Sequence, residues 1–383
     1  MSHSESIRSV ETIPLRIPFA HAFTMAAPGQ QTRQSVDILL VKIHTEGGLC
    51  GIGETQAWRR QGSAETLENL SRTIIDHFVP RMLGRSCLDI APIMHDLEGT
   101  IYGSLYAQAA IGDALYDAAG KTLGLPVWRL LGGQCRDRIQ VGIAVSITSS
   151  PDALIDALEG WVAKGYRHLR LKVGIDYETD FRNASKVREH FGDAVVLRAD
   201  ANGGMQYGDA LRLLRKLEAL DFDIVEQPVA GWDLGGMAAL ARMVGLPLSA
   251  DESLTTDHSL IEIIRRGAAR VIQTKAGKNG GLYYSRRLWT IAEAAGVGIF
   301  PGNHPSTSIS VASVAHLCAS WPGRLLVGDF QTGIADMLAH DIVTKPLLPE
   351  HGFVDVPQGL GLGVEIDEDA IARFRIDGGE RAS

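Results

Sequence analysis

Residues 168–173 read His-Leu-Arg-Leu-Lys-Val, and residues 194–200 read Ala-Val-Val-Leu-Arg-Ala-Asp. Side chains on a β-strand alternate between two faces. The apolar side chains of each stretch therefore share one face, and charged side chains share the opposite face. Buried charges persist only where they are paired or bound to a metal. Both stretches therefore predict strands whose charged side chains face an interior, where they are paired or bind a metal.

Polar residues end successive predicted strands at a regular interval. About 24 to 29 residues separate neighbours, which is the length of one strand, one helix and two short loops. The residues are Lys172, Asp200, Glu226, Asp251, Lys275, His304 and Asp329. With residues 141–147 as the first strand and 325–330 as the last, eight units predict an α/β fold, a modified (β/α)8 TIM barrel. A doubly wound open sheet is the alternative, but no glycine-rich dinucleotide motif follows a predicted strand.

The first 130 residues have a different, α+β pattern. Residues 36–45 and 49–54 predict a hairpin, Ser63 offers an N-cap for a helix, and residues 107–123 predict a second helix. We therefore expect an N-terminal α+β domain over residues 1–130 and a barrel over residues 131–349. The C-terminal tail, 350–383, is expected to pack on the N-terminal unit.

The composition excludes several functions. Among 383 residues, 37 are Lys or Arg and 45 are Asp or Glu, so the formal net charge is −8. This balance argues against nucleic acid or an anionic membrane as partner. No apolar run of about 18 residues is present, and the start lacks the pattern of a secretory signal. Four widely spaced cysteines fit free thiols in the cytoplasm.

Three carboxylates end successive predicted strands: Asp200, Glu226 and Asp251. Hard oxygen ligands from adjacent strands suit Mg2+, and zinc is disfavoured because no cysteine or histidine joins them. Each carboxylate could instead pair with an arginine or cap a following helix.

A set of ordered motifs spans nearly the whole chain. They are Gly51-Ile52-Gly53-Glu54, Gly112-Asp113-Ala114-Leu115-Tyr116-Asp117, Leu131-Gly132-Gly133, Leu171-Lys172-Val173-Gly174, Asp200-Ala201-Asn202, Glu226-Gln227-Pro228, Ala250-Asp251-Glu252-Ser253, Lys275 ahead of Gly280-Gly281, and Gly359-Leu360-Gly361-Leu362-Gly363. This set resembles the mandelate racemase/muconate lactonizing enzyme family of the enolase superfamily.

The resemblance implies a capping domain over the barrel and one divalent ion, Mg2+ or alternatively Mn2+, at Asp200, Glu226 and Asp251. It also implies removal of a proton α to a carboxylate, with an enediolate intermediate. The expected partner is a small-molecule carboxylate substrate, and family members are often homo-oligomers, octamers or dimers.

Lys172 and Lys275 come from the second and sixth predicted strands, roughly opposite each other around the barrel. A lysine that takes a proton near neutral pH needs a lowered pKa, which burial and nearby positive charge supply. Two bases facing one carbon suit racemisation or epimerisation. Lysines at these positions have such roles in the muconate lactonizing branch. The alternative is that both are interior lysines paired with Glu252 or Asp329.

The sequence departs from the family pattern at two positions. Arg170 stands where a lysine is usual, and an arginine stays charged, so it can bind a carboxylate or depress the pKa of Lys172 but cannot act as a base. Ser306 stands where many members have a glutamate. His304 lies nearby and is expected to be an auxiliary electrostatic or polar group rather than an acid or base.

Substrate choice in this family rests mostly on loops of the capping domain. Residues 19–30 contain His21, Phe23 and Met25, and a second loop reads Trp58-Arg59-Arg60-Gln61. Paired arginines beside a tryptophan suit an anionic or planar group, although a solvated basic loop is the commoner explanation.

Further substrate or auxiliary contacts are expected from three polar residues. Asp329 could meet a substrate ammonium group, or it could pair with Lys275 or Lys172. Asn202 and Glu252 belong to the site by their positions in the motifs.

The sequence predicts a metal-dependent isomerase of the enolase superfamily, most simply a racemase or epimerase of an amino-acid derivative. The alternatives are a muconate-type cycloisomerase, a hydroxy-acid dehydratase (a lyase), and a barrel that binds a small acid without turnover.

Overall fold

The computed structural model of the protein describes residues 3–24, 32–57, 65–331, 333, 337–376 and 380–382. The strands are β1 (Ile7–Thr24), β2 (Thr32–Thr45), β3 (Cys50–Gln56), β4 (Arg138–Gln140), β5 (Ile143–Ala144), β6 (His168–Lys172), β7 (Val196–Asp200), β8 (Ile224–Glu226), β9 (Leu248–Ala250), β10 (Val271–Lys275), β11 (Gly298–Gly302), β12 (Phe353–Asp355) and β13 (Glu380–Ala382). The helices are α1 (Leu67–Arg72), α2 (Ile90–Glu98), α3 (Leu105–Leu123), α4 (Val127–Leu130), α5 (Pro151–Ala163), α6 (Tyr177–Phe191), α7 (Tyr207–Ala219), α8 (Leu234–Met243), α9 (Asp257–Arg266), α10 (Gly281–Ala294), α11 (Ser308–Ser320) and α12 (Glu368–Phe374).

Seven parallel strands form one curled sheet in the order β11-β10-β9-β8-β7-β6-β5. The segment 326–329 lies between the two edges and bonds to both. Leu326 N donates to Ile299 O at 2.8 Å, and Gly142 N donates to Gly328 O at 2.7 Å. The prediction of a modified (β/α)8 TIM barrel with an N-terminal α+β unit is confirmed.

Two predicted barrel strands differ from the observed ones. The first was predicted over 141–147, but a regular ladder covers only β5. The eighth was predicted over 325–330, but it bonds to its neighbours at single residues and makes no regular strand.

The N-terminal sheet has the order β13-β1-β2-β3, and every pair in it is antiparallel. The predicted hairpin is present as β2 and β3. Strand β1, 18 residues long, was not predicted. Strand β13 brings the C-terminal tail back onto β1. Ser63 lies outside the described residues, and α1 is instead capped by Thr66, whose side chain accepts from Asn69 N.

Glycines let β3 approach α3 closely. A β-carbon at Gly51 or Gly53 would overlap the backbone of α3 at Ala114 or Ala110 respectively. Alanines recur on the facing side of the helix, so the two elements meet backbone to backbone. The Gly51-Ile52-Gly53 motif therefore has a packing reason.

The N-terminal sheet reaches the carboxyl ends of the barrel strands, the end where barrel enzymes carry their active sites. Ile147 N, just beyond β5, donates to Thr24 O at 3.3 Å, and Ala20 N donates to Met337 O at 2.7 Å. No described helix combines the length and the apolar character that crossing a bilayer requires.

We expect Gly53→Ala to lower the free energy of unfolding by about 1–3 kcal/mol, because overpacking a close contact forces the backbones apart. Chemical denaturation measures the change. Gly160→Ala is the matched control, since Gly160 is exposed in α5 and a β-carbon there meets nothing within 4 Å. That control should be neutral or stabilising by up to about 1 kcal/mol. Equal losses in both variants would contradict the close approach of β3 and α3.

Candidate active site

The carboxyl ends of five adjacent barrel strands carry a continuous row of charged side chains. Strand register places Lys172 beside Asp200 and Asp200 beside Glu226. Asp251 directly follows β9, and Lys275 is the last residue of β10. All five side chains are buried, with at most 9% of each exposed. The structure thus brings together the three predicted metal ligands and the two predicted catalytic lysines.

Arg170 bridges acids across the barrel interior. One of its terminal nitrogens pairs with Glu226 Oε2 and lies 3.4 Å from Asp200 Oδ2. The other lies 2.5 Å from Asp329 Oδ2. A planar guanidinium can serve several carboxylates at once because its donors diverge in a fixed fork. Asp329 therefore has an arginine partner that the sequence did not suggest.

Lys172 is held by Asp200 and Asn202. Its Nζ lies 2.5 Å from Asp200 Oδ2 and donates to Asn202 Oδ1 at 2.9 Å. Asn202 also donates from Nδ2 to Glu252 Oε1 at 3.3 Å and from its backbone N to Asp200 Oδ1 at 2.9 Å. Its backbone has a φ of +47°, a conformation that asparagine tolerates better than most residues. Asn202 therefore connects Lys172 with two acids of the site.

Lys275 and Lys278 share one carboxylate. Lys275 Nζ pairs with Asp251 Oδ2 and lies 4.0 Å from Glu226 Oε1. Lys278 Nζ lies 2.9 Å from Asp251 Oδ1 and donates to the carbonyl oxygens of Asp251 and Leu254 at 2.6 and 2.9 Å. Sequence reasoning missed Lys278. The only sequence signal for Lys278 was its position three residues after Lys275.

The ion pairs that the structure shows act on the pKa of Lys275 in the opposite direction to burial. Burial does oppose protonation of Lys275. The negative charges of Asp251, Glu226 and Glu252 outweigh it and raise the pKa above the usual lysine value. The sequence analysis considered burial and nearby positive charge, and the structure adds a carboxylate, Asp251, that Lys275 contacts directly.

The three carboxylates fit a hard divalent cation by their chemistry. Burial raises the pKa of Glu226 well above the usual value, and repulsion from Asp200 and Asp251 adds to this effect. Added positive charge among these acids would relieve that repulsion, and hard oxygen donors are the ligands Mg2+ prefers. In the described part of the chain no three such side chains are already arranged as a metal cluster. Their oxygens are turned towards the lysines and Arg170.

The side chain of Gln227 fixes the loop that carries Asp251. Gln227 Oε1 accepts from Asp251 N, Ser253 N and Ser253 Oγ at 2.8 to 3.1 Å. Gln227 itself has a φ of +37°. Glu252 lies in the same loop, and burial together with Asp251 and Asp200 raises its pKa to about 7. The Glu226-Gln227-Pro228 motif therefore supports a neighbouring loop as well as supplying an acid.

His304 is buried at the end of β11. Its ring stacks on Tyr106 of α3, with 5.9 Å between the ring centroids. Its backbone N donates to Asn303 Oδ1 at 3.0 Å. Burial and then the charge of Lys275 hold the pKa of His304 well below its usual value. The imidazole is therefore a neutral polar group near neutral pH.

Glu54 joins the N-terminal sheet to the loop beside His304. This carboxylate lies on β3 and accepts from Thr307 N at 2.9 Å and from the Thr307 hydroxyl. Thr307 in turn caps α11 by accepting from Ile309 N. Burial raises the pKa of Glu54 to about 8, although the bonds from Thr307 favour the charged form. The sequence gave Glu54 only as part of a motif, because its partner lies about 250 residues away.

The described part of the loop 19–30, which was predicted to select substrate, borders a cavity of about 310 Å3. His21 and Phe23 line it together with Ser146, Leu154 and Trp161. The cavity lies between the N-terminal sheet, the residues after β5, and α5. Met25 and the loop Trp58-Arg59-Arg60-Gln61 lie outside the described residues.

A barrel of parallel strands that carries acids and lysines at its carboxyl end, beneath an α+β domain, is typical of an enolase-superfamily enzyme. Residues 7–132 match the family model of the mandelate racemase/muconate lactonizing enzyme N-terminal domain, and residues 153–370 match that of the enolase C-terminal domain-like family. The chain belongs to the mandelate racemase/muconate lactonizing enzyme family. The resemblance seen in the motifs is confirmed, and so is the prediction of an isomerase of this superfamily.

Several characterised proteins are similar over nearly their whole length. Muconate cycloisomerase 1 of Rhodococcus opacus is 32% identical over 374 residues, which cover 96% of this chain and 97% of that protein. N-succinylamino acid racemase of Thermus thermophilus is 33% identical over 367 residues, covering 95% of each. The crystal structure of N-succinyl Arg/Lys racemase from Bacillus cereus matches with a TM-score of 0.92 and 27% identity, covering 99% of this chain and 100% of that one.

Replacing Glu54 by Gln should change how stability depends on pH. Folding raises the pKa of Glu54 from about 4.5 to about 8, so the folded protein holds this proton more tightly than the unfolded chain. The contribution of Glu54 to stability therefore falls as the pH rises from about 4.5 to about 8. Relative to wild type, Glu54→Gln should gain up to about 1.4 kcal/mol per pH unit within that range.

Urea denaturation at several pH values measures this difference. Glu178→Gln is the control, because Glu178 is exposed on α6 and the substitution should leave a nearly constant difference. A constant difference for Glu54→Gln as well would contradict a proton held by Glu54 in the folded state.

Proposed function

We propose that the enzyme removes a proton α to a carboxylate and returns it, so that it racemises or epimerises an amino-acid derivative. The observation that carries this proposal is the placement of the two lysines. Lys172 on β6 and Lys275 on β10 bracket the row of carboxylates, with β7, β8 and β9 between them. A substrate lying over that row would present opposite faces of its α-carbon to the two amines.

In the proposed reaction the lysines exchange roles with the direction of turnover. One lysine, as the free amine, takes the α-proton at Nζ, and the other, as the ammonium, donates a proton to the opposite face of the enediolate. Because Lys275 is ion-paired with Asp251, that acid must be engaged elsewhere before Lys275 can accept a proton. Arg170, as a permanent cation, has no part in the proton transfer.

Asp200, Glu226 and Asp251 are proposed to hold one divalent ion, Mg2+ or Mn2+. The bound ion supplies positive charge that stabilises the enediolate. The support is the donor chemistry of the three buried acids and the family, whose members generally depend on such an ion. Asn202 and Glu252 are proposed to orient Lys172 and the ligand loop, and His304 to make a neutral polar contact with substrate.

Muconate-type cycloisomerisation is the second candidate. The observation that favours it is the 32% identity to muconate cycloisomerase 1 of Rhodococcus opacus over nearly the whole chain. That reaction needs only one lysine as acid and base, whereas the exchange of a proton between two faces needs both.

Two lysine variants test the leading proposal. Lys172→Ala and Lys275→Ala should each reduce interconversion of enantiomers by about 100-fold or more, the usual contribution of a general acid or base. Each should still exchange the α-proton of one enantiomer in D2O, because the base on that face remains. Chiral chromatography and mass spectrometry read the two processes separately.

Lys186→Ala is the control for these variants, since Lys186 is exposed and pairs with Glu189 on α6. Full racemisation by both site variants would overturn the two-base proposal. Lactonisation of muconate that survives Lys275→Ala and is abolished by Lys172→Ala would support the second candidate instead.

Removing one proposed ligand should weaken metal binding. We expect Asp251→Asn to reduce the affinity for Mg2+ in a calorimetric titration by at least about 10-fold. In wild type, Mg2+ at 100 times its dissociation constant should stabilise the fold by about 2.7 kcal/mol, and a chelator should reverse the effect. Asp209→Asn, an exposed change on α7, should leave both unchanged. Wild-type affinity in Asp251→Asn would remove Asp251 from the ligand set.

A further inference from the structure

Two lysines lie on opposite oxygens of Asp251, the acid that follows β9. Lys275 Nζ pairs with Asp251 Oδ2, and Lys278 Nζ lies 2.9 Å from Asp251 Oδ1. The side chains are similarly buried, with 3% of Asp251, 9% of Lys275 and 8% of Lys278 exposed. Breaking a buried ion pair is costly because it leaves an uncompensated charge. A second ammonium group on the other oxygen reduces that cost.

The main chain holds Lys278 in place. Its Nζ donates to the carbonyl oxygens of Asp251, Leu254 and Gln273 at 2.6, 2.9 and 3.3 Å. An ammonium group has three donors, and these three carbonyl oxygens accept from all of them. Lys278 is therefore a fixed cation, with no donor directed at a substrate.

Lys275 is held by acidic side chains instead. Its Nζ pairs with Asp251 Oδ2 and lies 4.0 Å from Glu226 Oε1. Both acids are proposed metal ligands, so a divalent ion competes with Lys275 for their oxygens. The carbonyl partners of Lys278 are outside the proposed ligand set. The two lysines therefore differ in which of them can leave Asp251.

We propose that Lys278 is a positioning residue, which keeps a cation on Asp251 Oδ1 while Lys275 leaves Oδ2 to take up a proton. The inference rests on the proposed function, because it concerns one step of the same proton transfer. Lys278 acts on one lysine only, since Lys172 pairs with a different acid, Asp200. Without Lys278, Asp251 retains Lys275 more strongly, and proton transfer slows at the face of the substrate that Lys275 serves.

Exchange of the α-proton in pure enantiomers reads the two faces separately. The probes are the succinyl and L-alanyl derivatives of Glu, Arg and Phe, each prepared with the L and with the D amino acid. Incubation in D2O with Mg2+, followed by mass spectrometry, gives kcat of exchange for each form. The form that still exchanges in Lys275→Ala is the one that Lys172 deprotonates, which assigns a face to each lysine.

Lys278→Met removes the ammonium group and keeps an unbranched side chain of similar length. We expect it to slow exchange of the form that Lys275 deprotonates by about 10-fold or more relative to the other form. In a calorimetric titration this variant should bind Mg2+ at least as tightly as wild type, because a cation beside a proposed ligand is gone. Should thermal melting show that Lys278→Met is unfolded, Lys278→Gln is judged by the same two measurements.

Asn279→Ala is the matched control, because Asn279 joins the same two loops without a charge. Its Nδ2 donates to the carbonyl oxygens of Leu254 and Thr255 at 3.3 and 3.1 Å. Loss of these bonds loosens the loop that follows Asp251, on which both directions of turnover depend. This variant should therefore slow exchange of the two forms to a similar extent.

The outcomes separate the inference from the proposed function. With wild type active on both forms, the inference is overturned if Lys278→Met slows both equally, slows neither, or slows the Lys172 form more. The same asymmetry in Asn279→Ala, or weaker Mg2+ binding by Lys278→Met, overturns it as well, since Lys278 would then only support the loop. A wild type that binds Mg2+ but exchanges at most one form of every probe contradicts the proposed function, and the inference falls with it.

Discussion

The site depends on the cost of burying a row of negative charge. Asp200, Glu226 and Asp251 end adjacent strands, so the sheet itself forces their carboxylates together out of water. Each needs a cation, because an isolated buried carboxylate is far too costly to remain ionised. Arg170 and the lysines supply that charge from the same sheet. Along β6 and β7, the alternation of charged and apolar residues is the sequence pattern that this constraint produces.

The site also depends on the N-terminal domain, which makes contacts that the barrel cannot make by itself. Glu54 accepts from both donors of Thr307, and Tyr106 stacks on His304, so the end of β11 is held from the N-terminal side. The close approach of β3 to α3 through Gly51 and Gly53 sets the position of Glu54. A packing feature far along the chain from the barrel thereby determines the surroundings of an active-site loop.

Local pattern predicted the barrel strands and the charged residues that share their inner face, because alternation and period are properties of neighbouring residues. Strand β1 was missed since Pro14 and Pro18 interrupt it, although Ile13, Leu15 and Ile17 keep the alternation. The contact of Glu54 with Thr307 was unpredictable because it joins distant parts of the chain. The ion pair of Lys275 was missed for a related reason, since its direct partner, Asp251, follows another strand.

The cations of the site differ in how firmly they are held. Arg170 contacts acids with both terminal nitrogens and stays charged at any relevant pH, so it behaves as a permanent part of the interior. Lys172 and Lys275 end in single ammonium groups on flexible four-carbon stems. The proposed proton transfer needs a group that can change both its charge and its partner, which a lysine can do and an arginine cannot. With an arginine at position 170, the two lysines of the proposed proton transfer stand at the two ends of the carboxylate row, where they would reach opposite faces of one carbon.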